Sequence, residues 1–369
     1  MPPPLLSDSD GFGSDPAPAG SWATRGRAVV ETLYPGYFAL VMATGIIANA
    51  MRFEDYRPIS DALFAVALAA YAALAALTLA RLVLFPRALW RDLADPRLVF
   101  AFFTIVAATD VVGVGLMLHG ASTLALVLWV GAALAWLVLI YFAFGVLLVS
   151  DAVTRVDIIF GGWLIAIVAT EAIAIHGLAV APELGALAPA VMVLAHMLWG
   201  VGLILYLIFI VLFAERVFLA RVTPDDLTPV LWVVMGAAAI STNAGALLIA
   251  SHADLPFLAA MRPFVDGVTL ILWAWATWWI PLLVAFGIWT HGVHRKPLHY
   301  TPLFWSLVFP LGMYALASLR LAQVADIAAL AVFSRVMIWI ALAAWLWSVA
   351  GAGRHAVASW RGLPRAVAS

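Results

Sequence analysis

The chain has 369 residues, 66% of them hydrophobic and only 11% charged, with a net charge of -1 and no cysteine. A water-exposed surface needs far more Asp, Glu, Lys and Arg than this, so the missing solvent is lipid. The near-neutral balance excludes a nucleic-acid partner, which needs a basic footprint, and the lack of cysteine excludes disulfides, thiol catalysis and thiolate metal sites.

Residues 1–28 are rich in Pro, Ser, Gly and Asp and hold no apolar h-region, which reads as a disordered tail without a cleaved signal peptide. Beyond it, runs of roughly 20 apolar residues predict ten membrane spans: 30–50, 59–80, 98–118, 123–148, 157–178, 187–213, 229–250, 267–290, 301–319 and 326–349. Breaks such as Phe85-Pro86-Arg87, Ala181-Pro182-Glu183 and His294-Arg295-Lys296-Pro297 separate them. With a cytoplasmic N-terminus, 14 of the 19 basic residues fall on the inner side. Arg52, Arg57, Arg262 and Arg320 fall outside, and Arg335 lies within span ten. That bias predicts an even number of spans, with both termini cytoplasmic, in the inner (plasma) membrane. The loops are too short for a second folded unit. The expected organisation is a 1–28 tail, a 29–350 transmembrane domain and a short 351–369 cytoplasmic tail. Spacing groups the spans as five hairpins, although no crisp internal sequence repeat accompanies it.

The informative residues are those that lipid rejects. Asp110 lies in span three beside Thr109, and Glu171 in span five. His196 lies in span six, Asn243 with Ser241 and Thr242 in span seven, and Arg335 in span ten. For Glu171 two readings stand, an interfacial group near the outer end of its span or a pore or coupling group. Asp110 belongs either to a conduction path or to a packing or salt-bridge contact. Arg335 is placed to meet either acid across the bundle, and that pairing is preferred over proton coupling. His196 reads as an interhelical hydrogen bond. His291, His294 and His299 surround a Lys-Pro loop, where headgroups rather than a metal are expected, and no pair has metal-ligand spacing. No acid–base or nucleophile constellation points to an enzyme, and no cofactor is expected.

Proline and glycine favour the odd spans: Pro35, Gly36 and Gly45 in the first, Gly161 and Gly162 in the fifth, Gly236 and Gly245 in the seventh, Pro310 and Gly312 in the ninth. A proline within a helix leaves a carbonyl unpaired, which a membrane tolerates only where protein or a water-filled cavity satisfies it. The odd spans therefore suit a polar interior, while Pro189 and Pro281 show that the even spans are not free of breaks. Phe309 precedes the proline of span nine. Its residue type alone reads as a ring buried between helices, yet an aromatic beside a kink can also close a narrow passage.

Three segments carry a resemblance. They are Tyr34-Pro-Gly-Tyr-Phe-Ala-Leu-Val-Met-Ala-Thr-Gly45, the run from Leu227-Thr-Pro-Val-Leu-Trp-Val-Val-Met-Gly236 to Asn243-Ala-Gly245, and Trp305-Ser-Leu-Val-Phe-Pro-Leu-Gly-Met-Tyr-Ala-Leu-Ala317. Together they resemble the tellurite-resistance/dicarboxylate transporter family, which includes the plant slow anion channels and their bacterial homologues, over about residues 30–350. The resemblance implies an all-α protomer of ten transmembrane helices, five hairpins around a central pore with quasi-five-fold symmetry, assembled as a homotrimer. It implies that Phe309 is the pore gate, with Gly36, Gly45, Gly113, Gly162, Gly236 and Pro310 lining or kinking the pore. The expected activity is passive movement of small inorganic or organic anions. The alternative is a proton-coupled carrier or exporter of C4-dicarboxylates, sulfite or tellurite-related anions, with Asp110 or Glu171 taking the proton. The long tails through which plant members are controlled by phosphorylation have no counterpart of similar length here.

Overall fold

The computed structural model describes residues 22–149, 161–219, 223–224, 226–251 and 255–360. Twelve α-helices follow one another. Two are short, α1 (Trp22–Glu31) and α4 (Pro86–Leu93). Five are inner helices: α2 (Ala39–Phe53), α5 (Phe103–Leu118), α7 (Ile165–Val180), α9 (Val233–Ala250) and α11 (Trp305–Ala325). Five are longer: α3 (Arg57–Leu84), α6 (Ser122–Val149), α8 (Ala188–Ala214), α10 (Pro256–Gly287) and α12 (Ala328–Trp360). At 1.5 Å per residue, the longer helices of 27–33 residues cover about 40–50 Å, enough to cross a bilayer and its headgroups.

Among the described residues, nine continuous helical stretches are long and apolar enough to cross a membrane. One of them, Gly162–Leu219, is 58 residues long. It folds back at Gly185, whose φ of 52° and ψ of -118° interrupt the helix, and its arms α7 and α8 pack together. The protein is an all-α polytopic membrane protein, as its hydropathy implies. Several boundaries move, among them the start of the first span, at Pro35 rather than residue 30, and the end of the ninth, at Ala325 rather than residue 319. Helix α10 starts at Pro256 rather than residue 267, because Arg262 and Asp266 pair across one turn on its exposed face at 2.9 Å. Helix α12 runs on to Trp360, into the stretch expected to be tail. Helix α1 likewise occupies the last residues of the expected N-terminal tail, and residues 1–21 lie outside the described residues.

Burial separates two layers. In α2, α5, α9 and α11 between 72% and 89% of the apolar window is buried, against 17–28% in α3, α6, α10 and α12. The inner helices close a ring, α2 on α5, α5 on α7, α7 on α9, α9 on α11 and α11 back on α2, and each carries its own longer partner on the outside.

Local structure repeats around this ring where the sequence does not. Every inner helix opens with a short turn of 3-10 helix: Pro35–Phe38, Val99–Phe102, Gly161–Leu164, Pro229–Trp232 and Pro302–Phe304. Proline suits the first position of such a turn, since the N–H it lacks has no helical acceptor there. Among the described residues the α2–α3, α5–α6, α7–α8 and α11–α12 turns each contain one residue of positive φ, namely Asp55, Gly120, Gly185 and Asp326. Asp tolerates that region, and Gly enters it without strain.

A third repeat ties the layers together. Tyr71 of α3 bonds Thr109 of α5 at 2.9 Å, Trp136 of α6 bonds Thr170 of α7 at 2.8 Å, and Trp199 of α8 donates to the Ser241 carbonyl of α9 at 3.0 Å. Trp273 of α10 donates to Ser318 of α11 at 2.9 Å, and Trp345 of α12 to Thr44 of α2 at 2.9 Å. Each outer helix thus reaches the inner helix of the next hairpin, and the fifth closes on the first. The hydroxyls of Thr44, Thr109, Thr170 and Ser318 each spend their one hydrogen on the carbonyl four residues earlier. Their oxygens are left to accept, so Tyr71 is the donor in its pair.

Candidate functional site: the middle of the inner ring

Through the centre of the ring every inner-helix residue is buried: 41–51 of α2, 106–113 of α5, 166–177 of α7, 233–246 of α9 and 308–319 of α11. Partial exposure returns near the opening turns, at Leu40, Ile105, Ile165, Trp232 and Leu307, and near the other ends, at Val114, Met117, Leu178, Leu247 and Arg320. The ring is pinched in its middle and looser at both rims.

Phe309 lies in the pinched zone, 3% exposed. Its height and direction are set by two contacts that bracket it on α11. Pro310 rests on Gly236 of α9, where a Cβ would stand 2.7 Å from the proline Cγ. Gly312 faces α2, where a Cβ would come within 2.9 Å of Ile46 and 3.0 Å of Ile47. Pro310 also deprives the Ser306 carbonyl of its helical donor, a local weakness that the neighbours on both sides hold in place. Among the described residues no other aromatic ring stacks on Phe309, in contrast to the many ring pairs elsewhere.

The glycines expected to line a pore are places of close contact. Gly45 receives Val111 of α5, where a Cβ would lie 2.6 Å from the valine Cγ1, and Gly113 receives the ring of His176 of α7. With Gly236 and Gly312, they make four of the five inner contacts glycine notches. Gly36 lies under the ring of Tyr34, and Gly162 is buried in the turn that opens α7.

The buried acids do not meet Arg335. Asp110 Oδ1 is 2.9 Å from His176 Nδ1, with both side chains essentially inaccessible. Glu171 accepts from the Ser241 hydroxyl at 3.0 Å and sits against Gly202 of α8. Arg335 lies on the exposed face of α12, its Nε donating to Ala331 of its own helix at 3.4 Å. The expected charge pair is therefore corrected: a span tells the depth of a residue but not the face it occupies. Glu171 is likewise not interfacial, because α7 continues to Val180 and leaves it in mid-helix, fully buried. His196 bonds the Met192 carbonyl within α8 and, among the described residues, makes no interhelical bond.

His176 is a residue of this candidate site that a reading of the sequence passes over. The available signal was an ionisable residue in the same span as Glu171, opposite a segment where Gly113 follows Asp110 by three positions. Arg320 is the second. It was counted as a loop residue, yet it stacks on Phe53 with its guanidinium 3.7 Å from the ring centroid. Among the described residues no carboxylate pairs with it, whereas Arg52 nearby is bonded to Asp61. Asn243 and Ser241 are buried on α9, and among the described residues the Asn243 side-chain oxygen has no partner. Among the described residues no group of three His, Asp or Glu side chains converges as a metal site.

Residues 32–352 match the family described as SLAC1, voltage-dependent anion channel. The chain belongs to this family. Two transporters of Methanocaldococcus jannaschii, both called uncharacterized, are similar over most of their length. One is 25% identical over 295 residues, 78% of this chain and 84% of the relative; the other is 26% identical over 301 residues, 79% and 84%. An uncharacterized membrane protein of Mycobacterium tuberculosis (strain H37Rv) is 42% identical over 134 residues, 36% of this chain and 68% of that protein. The protein is thus a membrane protein of an anion channel and transporter family, and the resemblance read from spans one, seven and nine holds. The family places it with channels and transporters rather than enzymes.

Proposed function

We propose that the inner ring is a pathway for small anions, with the Phe309 ring as its gate. The observation that carries this reading is the position of Phe309: buried at the pinch of a closed ring of five helices, and held there by Pro310 against Gly236 and by Gly312 against α2. An aromatic ring at a narrow, apolar constriction blocks ions by bulk and by dewetting. A gate needs a body that can swing, and Pro310, which leaves the helix one hydrogen bond short, supplies a soft point one residue away.

Arg320 at one rim, with no carboxylate paired to it among the described residues, provides positive potential that draws anions in without binding them at the centre. Weak attraction suits conduction, because an ion held tightly by a buried arginine does not leave. The orientation bias of the basic residues supports cytoplasmic termini in the inner membrane, and homotrimeric assembly belongs to the same reading. Native mass spectrometry is expected to show three copies of the 39.5 kDa chain.

The test is current through the purified protein in planar bilayers, with chloride, nitrate, sulfite and malate at unequal concentrations on the two sides. Phe309→Ala is expected to raise anion-selective conductance about tenfold or more, the change a 1.4 kcal/mol fall in the barrier produces. Unchanged current with normal protein level sinks the gate. Electrical silence in both proteins, alongside uptake into liposomes, replaces the pore with a carrier.

A further inference from the structure

The family match assigns no role to the two ionisable side chains buried against each other between α5 and α7. Asp110 and His176 share one hydrogen bond of 2.9 Å, and each keeps a second polar atom, Asp110 Oδ2 and His176 Nε2, that is buried and has no hydrogen-bond partner among the described residues. Unsatisfied buried polar atoms are rare and costly, and two on one bonded pair ask for a reason beyond packing. The notch at Gly113 fits that reason, since any larger residue there would collide with the imidazole. The chain keeps open a place for a ring that apolar packing would fill at less cost.

We propose that Asp110 and His176 form a proton-binding site inside the inner ring, and that its occupancy sets how readily anions cross. The first half stands on the pair alone, whereas the second rests on the anion-pathway reading. The proton balance is simple. With Asp110 ionised and His176 neutral, the imidazole donates from Nδ1 and the pair carries one negative charge. One added proton, taken up at His176 Nε2 or on the carboxylate, makes the pair neutral overall, whether as an ion pair or as two uncharged groups. The pair titrates as a unit. A net negative charge within the ring repels anions, and a neutral pair does not. Flux is therefore expected to be highest on the acid side and to fall as pH rises through the midpoint of the pair.

Other groups facing this pair are few. Glu171 lies five residues earlier on α7 and bonds Ser241. Tyr71 of α3 reaches α5 at Thr109, next to Asp110. Helix α6 presents Trp129 and Trp136, α2 presents Asn49, and α9 presents Ser241, Thr242 and Asn243, none of them ionisable. His196 of α8 is bonded within its own helix, and Glu183 in the turn after α7 is exposed. Arg52, Asp61 and His119 form a separate cluster past the far end of α5. Among the described residues Glu171 is thus the one rival acid at this depth.

Infrared difference spectroscopy of the full chain in lipid, stepped from about pH 4 to about pH 9, reads the carboxyl groups whether or not the protein conducts. A titrating carboxyl band is expected that vanishes in Asp110→Asn and persists in Glu171→Gln. Its midpoint is expected to move by about one pH unit or more in His176→Gln, a tenfold change in proton affinity. Size-exclusion profiles like the wild type's establish that the variants are folded, and His176→Gln carries the test if Asp110→Asn is not. A spectrum unchanged by both Asp110→Asn and His176→Gln, or a band lost only in Glu171→Gln, overturns the site. In liposomes, anion flux is expected to fall with rising pH in the wild type and to stay level in Asp110→Asn. A titrating Asp110 with pH-independent flux overturns the regulatory half. No flux from any protein, with the band present, overturns the anion-pathway reading and leaves the proton site standing.

Discussion

Inner and outer helices of this protein solve opposite problems with the same amino acids. The outer helices α3, α6, α8, α10 and α12 turn large apolar side chains outward, as Leu134, Tyr141, Met197, Phe264 and Trp278 do. Most of their glycines are idle: Gly131, Gly145, Gly200 and Gly267 have open space where a Cβ would go, whereas Gly202 receives Glu171 and Gly351 receives Tyr300. On the inner helices, Gly45, Gly113, Gly115, Gly236, Gly245 and Gly312 each have a neighbour closer than a Cβ tolerates. Lipid gives no hydrophobic force to press helices together, so the inner ring is held by close backbone approach and by hydrogen bonds, while the outer layer only has to suit the acyl chains. The lesson is that a residue type means nothing here until its layer is known.

The sharpest way to break this comparison is a matched pair of glycine substitutions. Gly113→Ala pushes a methyl group into the His176 ring, and Gly236→Ala pushes one into Pro310, so each is expected to cost about 1–3 kcal/mol through overpacking. Gly131→Ala on α6 meets nothing and gains helix propensity, with an expected stabilisation of up to about 1 kcal/mol. Thermal unfolding in detergent, followed by loss of the monodisperse size-exclusion peak, reads both. Equal effects at inner and outer positions contradict the two-layer account. Gly236→Ala has a second readout, because moving Pro310 moves Phe309 and should alter conductance where Gly131→Ala leaves it alone.

The next effect in size is the aromatic donor that joins the layers. Trp136→Phe removes the bond to Thr170, and Trp345→Phe the bond to Thr44, while both keep an aromatic, though smaller, side chain. Each is expected to cost about 1 kcal/mol, the usual net worth of one hydrogen bond. Trp278→Phe, on a side chain 51% exposed, is the control and is expected to cost less than about 0.5 kcal/mol. The same detergent melts separate the three variants.

Much of this architecture is readable without coordinates. Runs of apolar residues mark the ten long helices, and the prolines and glycines of spans one, five, seven and nine mark those that turned out to be inner. What hides is whatever depends on the face of a helix or on distance along the chain. Asp110 and His176 are 66 residues apart, and Trp345 and Thr44 are 301 apart. With 17 tryptophans present, no spacing distinguishes the five-membered set of aromatic donors from those that face lipid. The repeat is carried by backbone turns and by one polar bond per hairpin, built from Thr, Ser, Tyr and Trp in different combinations, which is why comparing residues position by position shows no repeat.

Arg335 gives the smallest effect and the finest discrimination. A charge buried in a pair is expensive to break, about 3–5 kcal/mol when one partner is removed, because the other is left without compensation. An arginine on a lipid-facing surface near the end of its helix extends its guanidinium to the headgroups instead and needs no partner across the bundle. Arg335 stands two turns into α12, exposed, beside Ser334, which turns the opposite way to bond Glu54 and the Ala315 carbonyl. Arg335→Gln is therefore expected to change stability by less than about 0.5 kcal/mol and to leave the Asp110 titration where it was. A large loss, or a moved Asp110 midpoint, would restore the charge pair that residue types alone suggest. It would also mean that α12 turns its other face to the ring.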